Sequence, residues 1–127
     1  MAYEIPGFKL GTLLAHADLR GAQYCFVAVN SDGEAILPGA TGGVVIGVLQ
    51  NKPNVGEPCE IMVNGVSIVK ASSAGVTAGD LVMATTTTGV ATTETGAVIS
   101  VGVALETGAS NGLFSCLINC GAGYAAS

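Results

Sequence analysis

The chain of 127 residues is long enough for one domain and too short for two independent ones. Hydrophobic residues make up 50% of it but charged residues only 10%, against roughly 25% in an ordinary soluble domain. This deficit excludes a surface exposed to water on all sides, so we interpret the chain as a subunit of an assembly. The net charge of -5 and the scatter of the four basic residues argue against a nucleic-acid partner.

The N-terminal residues 1–11 are apolar but irregular. Large apolar side chains surround a Pro6-Gly7 dipeptide, which interrupts regular structure, and they are Tyr3, Ile5, Phe8 and Leu10. Such a terminus is either a flexible end or an arm that becomes ordered on a partner. The segment has no basic start followed by an apolar run, and no stretch of the chain reaches about 18 apolar residues, so we expect no signal peptide and no membrane span.

The following elements are predicted to be short strands, because glycine is abundant and Val, Thr and Ala dominate the remainder. Residues 13–20 are the exception, since they are compatible with one or two helical turns between two glycines. Residues 24–29 alternate as a strand that is apolar on both faces. The turn residues 30–33 then return the chain into a second strand at residues 34–37.

Two stretches of the chain, residues 44–65 and 98–121, have nearly the same pattern. When one is shifted by about 55 positions, Gly47-Val48 aligns with Gly102-Val103. Each stretch combines a Gly-Val strand, a polar loop and a second apolar strand, which is one supersecondary unit present twice. The glycine within the Gly-Val strand indicates a bulge or a close approach of two backbones.

The residues around these stretches complete the plan. Residues 59–70 are predicted to form a long strand interrupted at Gly65, and residues 79–93 repeat the earlier hairpin. The fold class that follows is all-β, a compact β-barrel or sandwich built from two related strand-hairpin halves with little helix. The predicted organisation is an N-terminal arm or flexible lead-in, a single β domain with an internal repeat, and a C-terminal tail, at residues 1–16, 17–121 (copies of about 17–71 and 76–121) and 122–127.

No catalytic, cofactor-binding or metal-ligating residue is predicted. The four cysteines lack the spacing of metal ligands and lie in apolar runs, so we interpret them as small buried hydrophobes: Cys25, Cys59, Cys116 and Cys120. The single histidine, His16, is interpreted as solvated or hydrogen-bonded, because no nucleophile lies in a recognisable partner motif. The Gly-rich residues 38–48 lack the Lys-Ser/Thr ending of a phosphate-binding loop.

Five signatures follow one another along the chain: ADLRGAQYCFVAV at 17–29, IGVLQNKPNVGE at 46–57, VNGVSIVKA at 63–71, VTAGDLVMA at 76–84 and VGVALETGASNG at 101–112. Together they resemble the small, β-rich head decoration (cement) proteins of tailed bacteriophages. The resemblance covers roughly residues 17–120. Each signature alone is a strand and a turn, so the specificity lies in the occurrence of all five in family order.

This resemblance implies a structural virion protein, made in the host cytoplasm, that binds the outer surface of the assembled capsid, commonly as a homotrimer. The implied partner is the major capsid protein, and the resemblance implies no catalytic residue, cofactor, metal or small-molecule substrate. The start of the chain departs from the family pattern. Because this start is apolar, we predict that it contacts the capsid through Tyr3, Ile5, Pro6, Phe8 and Leu10.

Two other functions are weighed against this one. A fibre or adhesin-type module would recognise a glycan or receptor, but sugar sites present aromatic faces and the chain has no Trp. A trimeric β-fold hydrolase would need clustered carboxylates or a carboxylate-histidine pair with perturbed pKa values. The acidic residues are instead spread along the chain, with Glu57 and Glu60 as near neighbours.

Overall fold

The structure is a computed structural model that describes residues 2, 4–39, 44–85, 88–93 and 101–120. Within these residues the chain forms β-strands and no helix. The strands are β1 (Ile5–Pro6), β2 (Lys9–Leu10), β3 (Phe26–Val29), β4 (Ala35–Ile36), β5 (Gly47–Leu49), β6 (Ile61–Met62), β7 (Asn64–Lys70), β8 (Leu81–Ala84), β9 (Ala91–Thr93), β10 (Gly102–Ala104) and β11 (Leu113–Asn119).

The strands form two sheets whose pairings are antiparallel. The five-stranded sheet has the order β2-β6-β5-β3-β4, and the six-stranded sheet has the order β1-β7-β11-β10-β8-β9. Apart from β1, the two orders correspond strand for strand along the chain. The predicted all-β fold built from two related halves is thereby confirmed.

The correspondence extends to the pairing of individual residues. In the five-stranded sheet one row of cross-strand partners consists of Phe26, Val48 and Met62. In the six-stranded sheet the row that lies 55 positions later consists of Leu81, Val103 and Leu117. The three central strands of the two sheets therefore share one register, and each residue of the first row has a defined counterpart in the second.

The loops repeat as well. The amide of Tyr24 donates to the carbonyl of Leu49 at 2.7 Å, and the amide of Gly79 donates to the carbonyl of Ala104 at the same distance. Tyr24 and Gly79 both have a left-handed φ, of 68° and 92°, which costs a tyrosine more than a glycine. Tyr24 thus keeps the backbone conformation of its counterpart Gly79, although a tyrosine disfavours a left-handed φ.

Two hydrophobic clusters hold the sheets together. One is shared by both sheets and contains the buried row of the five-stranded sheet together with residues such as Val82, Ala104, Phe114, Cys116 and Ile118. The other lies on the opposite side of the five-stranded sheet and contains Ala15, Leu19, Ala22, Cys25, Val27, Ala35, Leu49, Cys59 and Ile61. The four cysteines are free and buried within these clusters, as predicted.

The glycine of each Gly-Val strand lies where the backbones of two strands approach closely. A Cβ atom on Gly102 would meet the carbonyl oxygen of Leu117 at 2.5 Å, and one on Gly47 would meet the equivalent carbonyl of Met62. No real side chain tolerates such a contact without a shift of the backbone. The close approach predicted from the sequence is confirmed at both positions.

Two predicted features of the chain are wrong. Residues 13–20 form no helical turn, because their backbone bonds to distant segments: the amide of Ala15 donates to the carbonyl of Glu57 at 2.9 Å. The long strand at residues 59–70 is interrupted at Val63, where the chain passes from one sheet to the other, and Gly65 lies inside β7.

The predicted bounds of the two copies, 17–71 and 76–121, stay a prediction, although the strand order places β7 with the strands of the later half. The predicted C-terminal tail, residues 122–127, lies outside the described residues.

Candidate functional site

The N-terminal segment, predicted as the contact with a partner, lies along the edges of both sheets. Ile5 and Pro6 pair with Val66 and Gly65 of β7, and Lys9–Leu10 then pairs with β6 in the other sheet. Gly65 is required in this arrangement, since it has a φ of 119° and a Cβ atom there would meet the amide nitrogen of Gly7 at 2.6 Å. The described part of the segment is therefore ordered on its own fold.

The apolar side chains of this segment differ in their exposure. Ile5 is 60% exposed and Phe8 57% exposed, whereas Leu10 is half-buried and packs against the cluster of the five-stranded sheet. Phe8 is held by two backbone bonds, because its amide donates to Oδ1 of Asn64 at 2.9 Å and its carbonyl accepts from Val63 at 2.8 Å. Tyr3 lies outside the described residues.

A second apolar feature crosses the outer face of the six-stranded sheet. We name it the outer row, and it consists of one residue from each of five neighbouring strands: Ile5, Val66, Leu117, Val103 and Leu81. Directly paired residues point to the same face of a sheet, so these side chains lie side by side. Leu117 and Leu81 are 47% and 50% exposed, and the two valines are half-buried.

The outer row contains the counterparts of a buried row in the other half. Phe26, Val48 and Met62 have no exposed surface and belong to the cluster that the two sheets share. Their counterparts 55 positions later are the exposed side of the later half. The sequence analysis did not predict this surface. The shift of 55 positions between the two halves does align an apolar residue with each of Phe26, Val48 and Met62.

The ion pairs of the described residues lie in loops and at sheet edges. The guanidinium of Arg20 donates to both carboxylate oxygens of Asp18, at 2.9 and 2.8 Å, and these bonds hold the pKa of Asp18 at about 2. Lys9 contacts Glu60 at 3.3 Å beside the N-terminal segment. All of these side chains are at least 31% exposed, so the pairs contribute little to stability.

His16 and Glu34 form the one carboxylate-histidine pair of the described residues, with 2.9 Å between Nδ1 and Oε1. The hydrogen bond from His16, and then one from Asn30, lower the pKa of Glu34. His16 is 56% exposed, so the prediction of a solvated, hydrogen-bonded histidine is confirmed. The pair links the loop before β3 to the β3-β4 hairpin.

The buried thiols are chemically inert. Burial raises the pKa of Cys116 and of Cys120 to about 12, and it raises the pKa values of Cys25 and Cys59 above their ordinary value. The reactive form of cysteine is the thiolate, so none of these groups is a nucleophile at neutral pH. Cys25 also lines a groove of about 610 Å³ together with Lys70 and Thr85.

Among the described residues no group of His, Cys, Asp and Glu side chains has the arrangement of a metal site. In the same part of the chain no helix is long and apolar enough to cross a membrane. The exposed apolar residues of the N-terminal segment and the outer row are two of the apolar surface features in the described residues, and other large apolar side chains are exposed as well, among them Val44, Val55 and Leu113.

Comparison with known proteins identifies the family of the chain. The phage cement protein family matches residues 15–119, which is most of the chain. The chain belongs to the phage cement protein family. It is thus a structural component of the virion that binds the capsid, as the sequence signatures predicted. No curated protein sequence matches the chain.

The fold is also found in a solved structure of a phage protein. The crystal structure of the head fiber gp8.5 N base in bacteriophage phi29 is similar with a TM-score of 0.69, and the match covers 88% of this chain and 95% of that one. The sequence identity is 18%, so the likeness is one of fold. It shows that the paired-sheet architecture of this cement protein occurs in another phage.

Proposed function

We propose that this cement protein binds the outer surface of the assembled capsid as a homotrimer and reinforces the contacts between subunits of the major capsid protein. The observation that carries the proposal is the family match over residues 15–119. The fold likeness to the base of a phage head fiber supports a place on the head. The low share of charged residues suits a chain whose surfaces pack against other proteins.

Reinforcement of this kind follows from mass action. A protein that binds the assembled shell but not its free subunits adds its binding free energy to the cost of opening the shell. A trimer strengthens the effect, because its second and third contacts form at a high effective concentration once the first has formed. The function therefore needs a surface for the shell and a surface between copies, and it needs no catalysis.

The N-terminal segment is the proposed surface for the shell. Phe8 is its largest exposed apolar side chain in the described residues, and the hydrogen bonds of its amide and carbonyl to Asn64 and Val63 hold the backbone at this position. A backbone that is already ordered loses less conformational entropy on binding. Ile5 lies on the same segment and adds apolar area, while Leu10 serves the protein's own core.

The experiment is to add purified protein to capsids that lack it and to measure co-sedimentation as a function of concentration. We expect saturable binding, and a loss of about 10- to 100-fold in affinity for Phe8→Asp, which corresponds to the burial of one large apolar side chain. Val55→Asp is the matched control, because Val55 is 61% exposed in the loop between β5 and β6. Failure of the unchanged protein to bind any capsid, with binding to glycans instead, would favour the adhesin alternative.

The protein is not proposed as an enzyme. The carboxylate-histidine pair of His16 and Glu34 that a hydrolase would use is open to solvent, and Glu34 is occupied by Asn30 as well. Glu57 and Glu60 have separate structural roles, since Glu57 accepts from the amide of Asn54 at 2.7 Å and Glu60 pairs with Lys9. Hydrolysis of a model ester that is abolished in His16→Gln would contradict this part of the proposal.

A further inference from the structure

We propose that the groove beside Cys25 binds a small carboxylate that carries hydroxyl groups, which is the chemistry of a sugar acid. The groove has a volume of about 610 Å³, within the range of about 300–1,000 Å³ that is usual for small-molecule sites. Residues of both halves line it, among them Ala22, Leu37, Lys70, Ser72, Thr88 and Asn111. Such a ligand site is a function beyond the proposed one, and binding in the groove does not depend on binding to the capsid.

Lys70 supplies the groove with a positive charge that no ion pair balances. It is the last residue of β7 and half-buried, and in the described part of the chain its ammonium group has neither a hydrogen bond nor an ion pair. Burial raises the pKa of the Cys25 thiol and the charge of Lys70 acts in the opposite direction, so the ammonium group lies near this wall of the groove. A partly desolvated cation without a partner is unfavourable, and an anion in the groove stabilises it.

The number of charges in the groove favours a carboxylate over a phosphate. Among the described residues of the wall Asp18 has the only carboxylate, and Arg20 already donates to both of its oxygens, at 2.9 and 2.8 Å. Asp18 is thus neutralised by its neighbour, and one positive charge remains for a ligand. A single lysine matches a group with one negative charge, whereas phosphate sites use arginine forks or clusters of backbone amides.

Short polar side chains of the wall suit the hydroxyl groups of the ligand. The hydroxyl of Ser72 is buried without a hydrogen-bond partner, which is unfavourable and leaves it available. Thr85 donates to the carbonyl of Val90 at 3.0 Å, so Thr88 donates to Thr85 at 2.9 Å and both threonine oxygens keep a lone pair. The apolar side chains of Leu37 and Val90 suit the carbon skeleton of such a ligand.

The groove and the N-terminal segment lie at opposite ends of β7. Gly65 near the start of the strand pairs with Pro6, and Lys70 at its end lines the groove. The two positions are roughly 17 Å apart along an extended strand. If the N-terminal segment contacts the shell, as the proposed function has it, the groove stays open to a ligand on the assembled capsid.

The test is a titration of the full chain with sodium D-glucuronate, followed by NMR of the backbone amides. We expect saturable shifts at residues that line the groove, such as Ala22, Leu37 and Asn111. Lys70→Gln should weaken binding by about 10-fold, because it removes a charge-assisted hydrogen bond. Lys52→Gln is the matched control, since Lys52 is exposed and the same change of net charge occurs away from the groove. The spectra also show whether each variant is folded.

The inference is overturned if no saturable shifts occur, if they occur away from the groove, or if Lys70→Gln and Lys52→Gln bind glucuronate equally. Co-sedimentation of Lys70→Gln with capsids should match that of the unchanged protein. Loss of glucuronate binding with unchanged capsid binding therefore supports the ligand site and leaves the proposed function standing. A protein that binds glucuronate but no capsid supports the ligand site and contradicts the proposed function.

Two simpler ligands separate the contributions of the carboxylate and of the hydroxyl groups. Glucose lacks the carboxylate and acetate lacks the hydroxyl groups, so we expect each to bind about 10-fold more weakly than glucuronate or less. Glucose that binds as tightly as glucuronate contradicts the role of Lys70, and acetate that does so contradicts the role of the hydroxyl wall. A galacturonate oligomer at equal carboxylate concentration distinguishes the sources: tighter binding indicates a polymer, and equal binding indicates a free acid.

Ser72→Ala tests the wall without a change of charge. Because the Ser72 hydroxyl has no partner in the protein, we expect its removal to leave the midpoint of thermal unfolding unchanged or higher. We also expect the affinity for glucuronate to fall several-fold, since the hydroxyl turns to the bound ligand. A variant with unchanged affinity would contradict this role of Ser72.

Discussion

The two sheets of this cement protein share the register of their three central strands, yet the same row of residues has opposite surroundings in them. In the five-stranded sheet the row of Phe26, Val48 and Met62 is buried between the sheets. In the six-stranded sheet the counterpart row ends at Leu81 and Leu117, which are about half exposed. The difference shows that the same pattern of strands forms a core where the other sheet of the chain covers it. Where no sheet of the chain covers it, the same pattern is exposed.

The sequences of the two rows fit these surroundings. The buried row contains Phe26 and Met62, which are larger or more adaptable than the leucines at the equivalent positions and fill the space between two sheets. The exposed row keeps apolar residues where a solvent-facing sheet would carry polar ones. Its composition is therefore intermediate between that of a buried core and that of a solvent-facing sheet.

The largest expected effect comes from truncating equivalent residues of the two rows, which tests whether the rows differ in their contribution to stability. We expect Phe26→Ala to lower the free energy of unfolding by about 3–5 kcal/mol, because it leaves a cavity in the shared core. Leu81→Ala, at the equivalent exposed position, should cost about 1 kcal/mol or less. Urea unfolding of both variants and of the unchanged protein gives the two values. Equal losses would show that the rows do not differ as described.

A second prediction concerns what the halves have in common. Gly47→Ala and Gly102→Ala should each lower the free energy of unfolding by about 1–3 kcal/mol, because the added Cβ collides with the carbonyl of Met62 or Leu117. Gly11→Ala is the control, since nothing lies within 4 Å of a Cβ atom there, and we expect a change of about 0.5 kcal/mol or less. A clear loss at only one of the two strand glycines would limit the equivalence of the halves.

The smallest expected effect concerns charge, which the halves do not share. Asp18 and Arg20 belong to the loop before β3, and the corresponding residues 72–75 of the later half carry no charge. Replacement of Arg20 by Ala should raise the pKa of Asp18 from about 2 towards 3.8, as followed by NMR of its carboxyl carbon. Lys52→Ala should leave that pKa unchanged, and a pKa that stays near 2 in Arg20→Ala would contradict the assigned cause.

The sign of the associated pH effect follows from the direction of this shift. The folded-state pKa of Asp18 lies below the value of about 3.8 that it has when unperturbed. The ion pair therefore contributes its stability above that value, and the contribution is lost as the pH falls through about 2. Because both side chains are exposed, the change in stability is small, and the pKa itself is the quantity to measure.

Local chemistry made part of the fold predictable from the sequence. The hairpin at residues 30–33 is fixed by its own residues, because Oδ1 of Asn30 accepts from Asp32 and Glu34 and Gly33 has a φ of 79°. The repeated Gly-Val strands likewise contain their own signal, since the glycine is needed wherever the partner backbone approaches. These features depend on neighbours in sequence or on a single pair of strands.

The features that escaped prediction depend on distant partners. Residues 13–20 are compatible with helical turns, but their backbone instead forms hydrogen bonds with residues more than 40 positions away, such as the bond from the amide of Ala15 to the carbonyl of Glu57. The exposure of Leu81 and Leu117 is not encoded in the two residues themselves, because their counterparts in the earlier half are buried. The exposure of these two side chains depends on which face of each sheet packs against the other sheet, and that is a property of the tertiary packing.

The most direct test of the account is a difference density map from electron cryo-microscopy of capsids with and without the added protein. We predict new density on the outer surface of the shell, with the N-terminal segment around Phe8 against the shell. Capsids that show no added density at saturating protein concentration would contradict it.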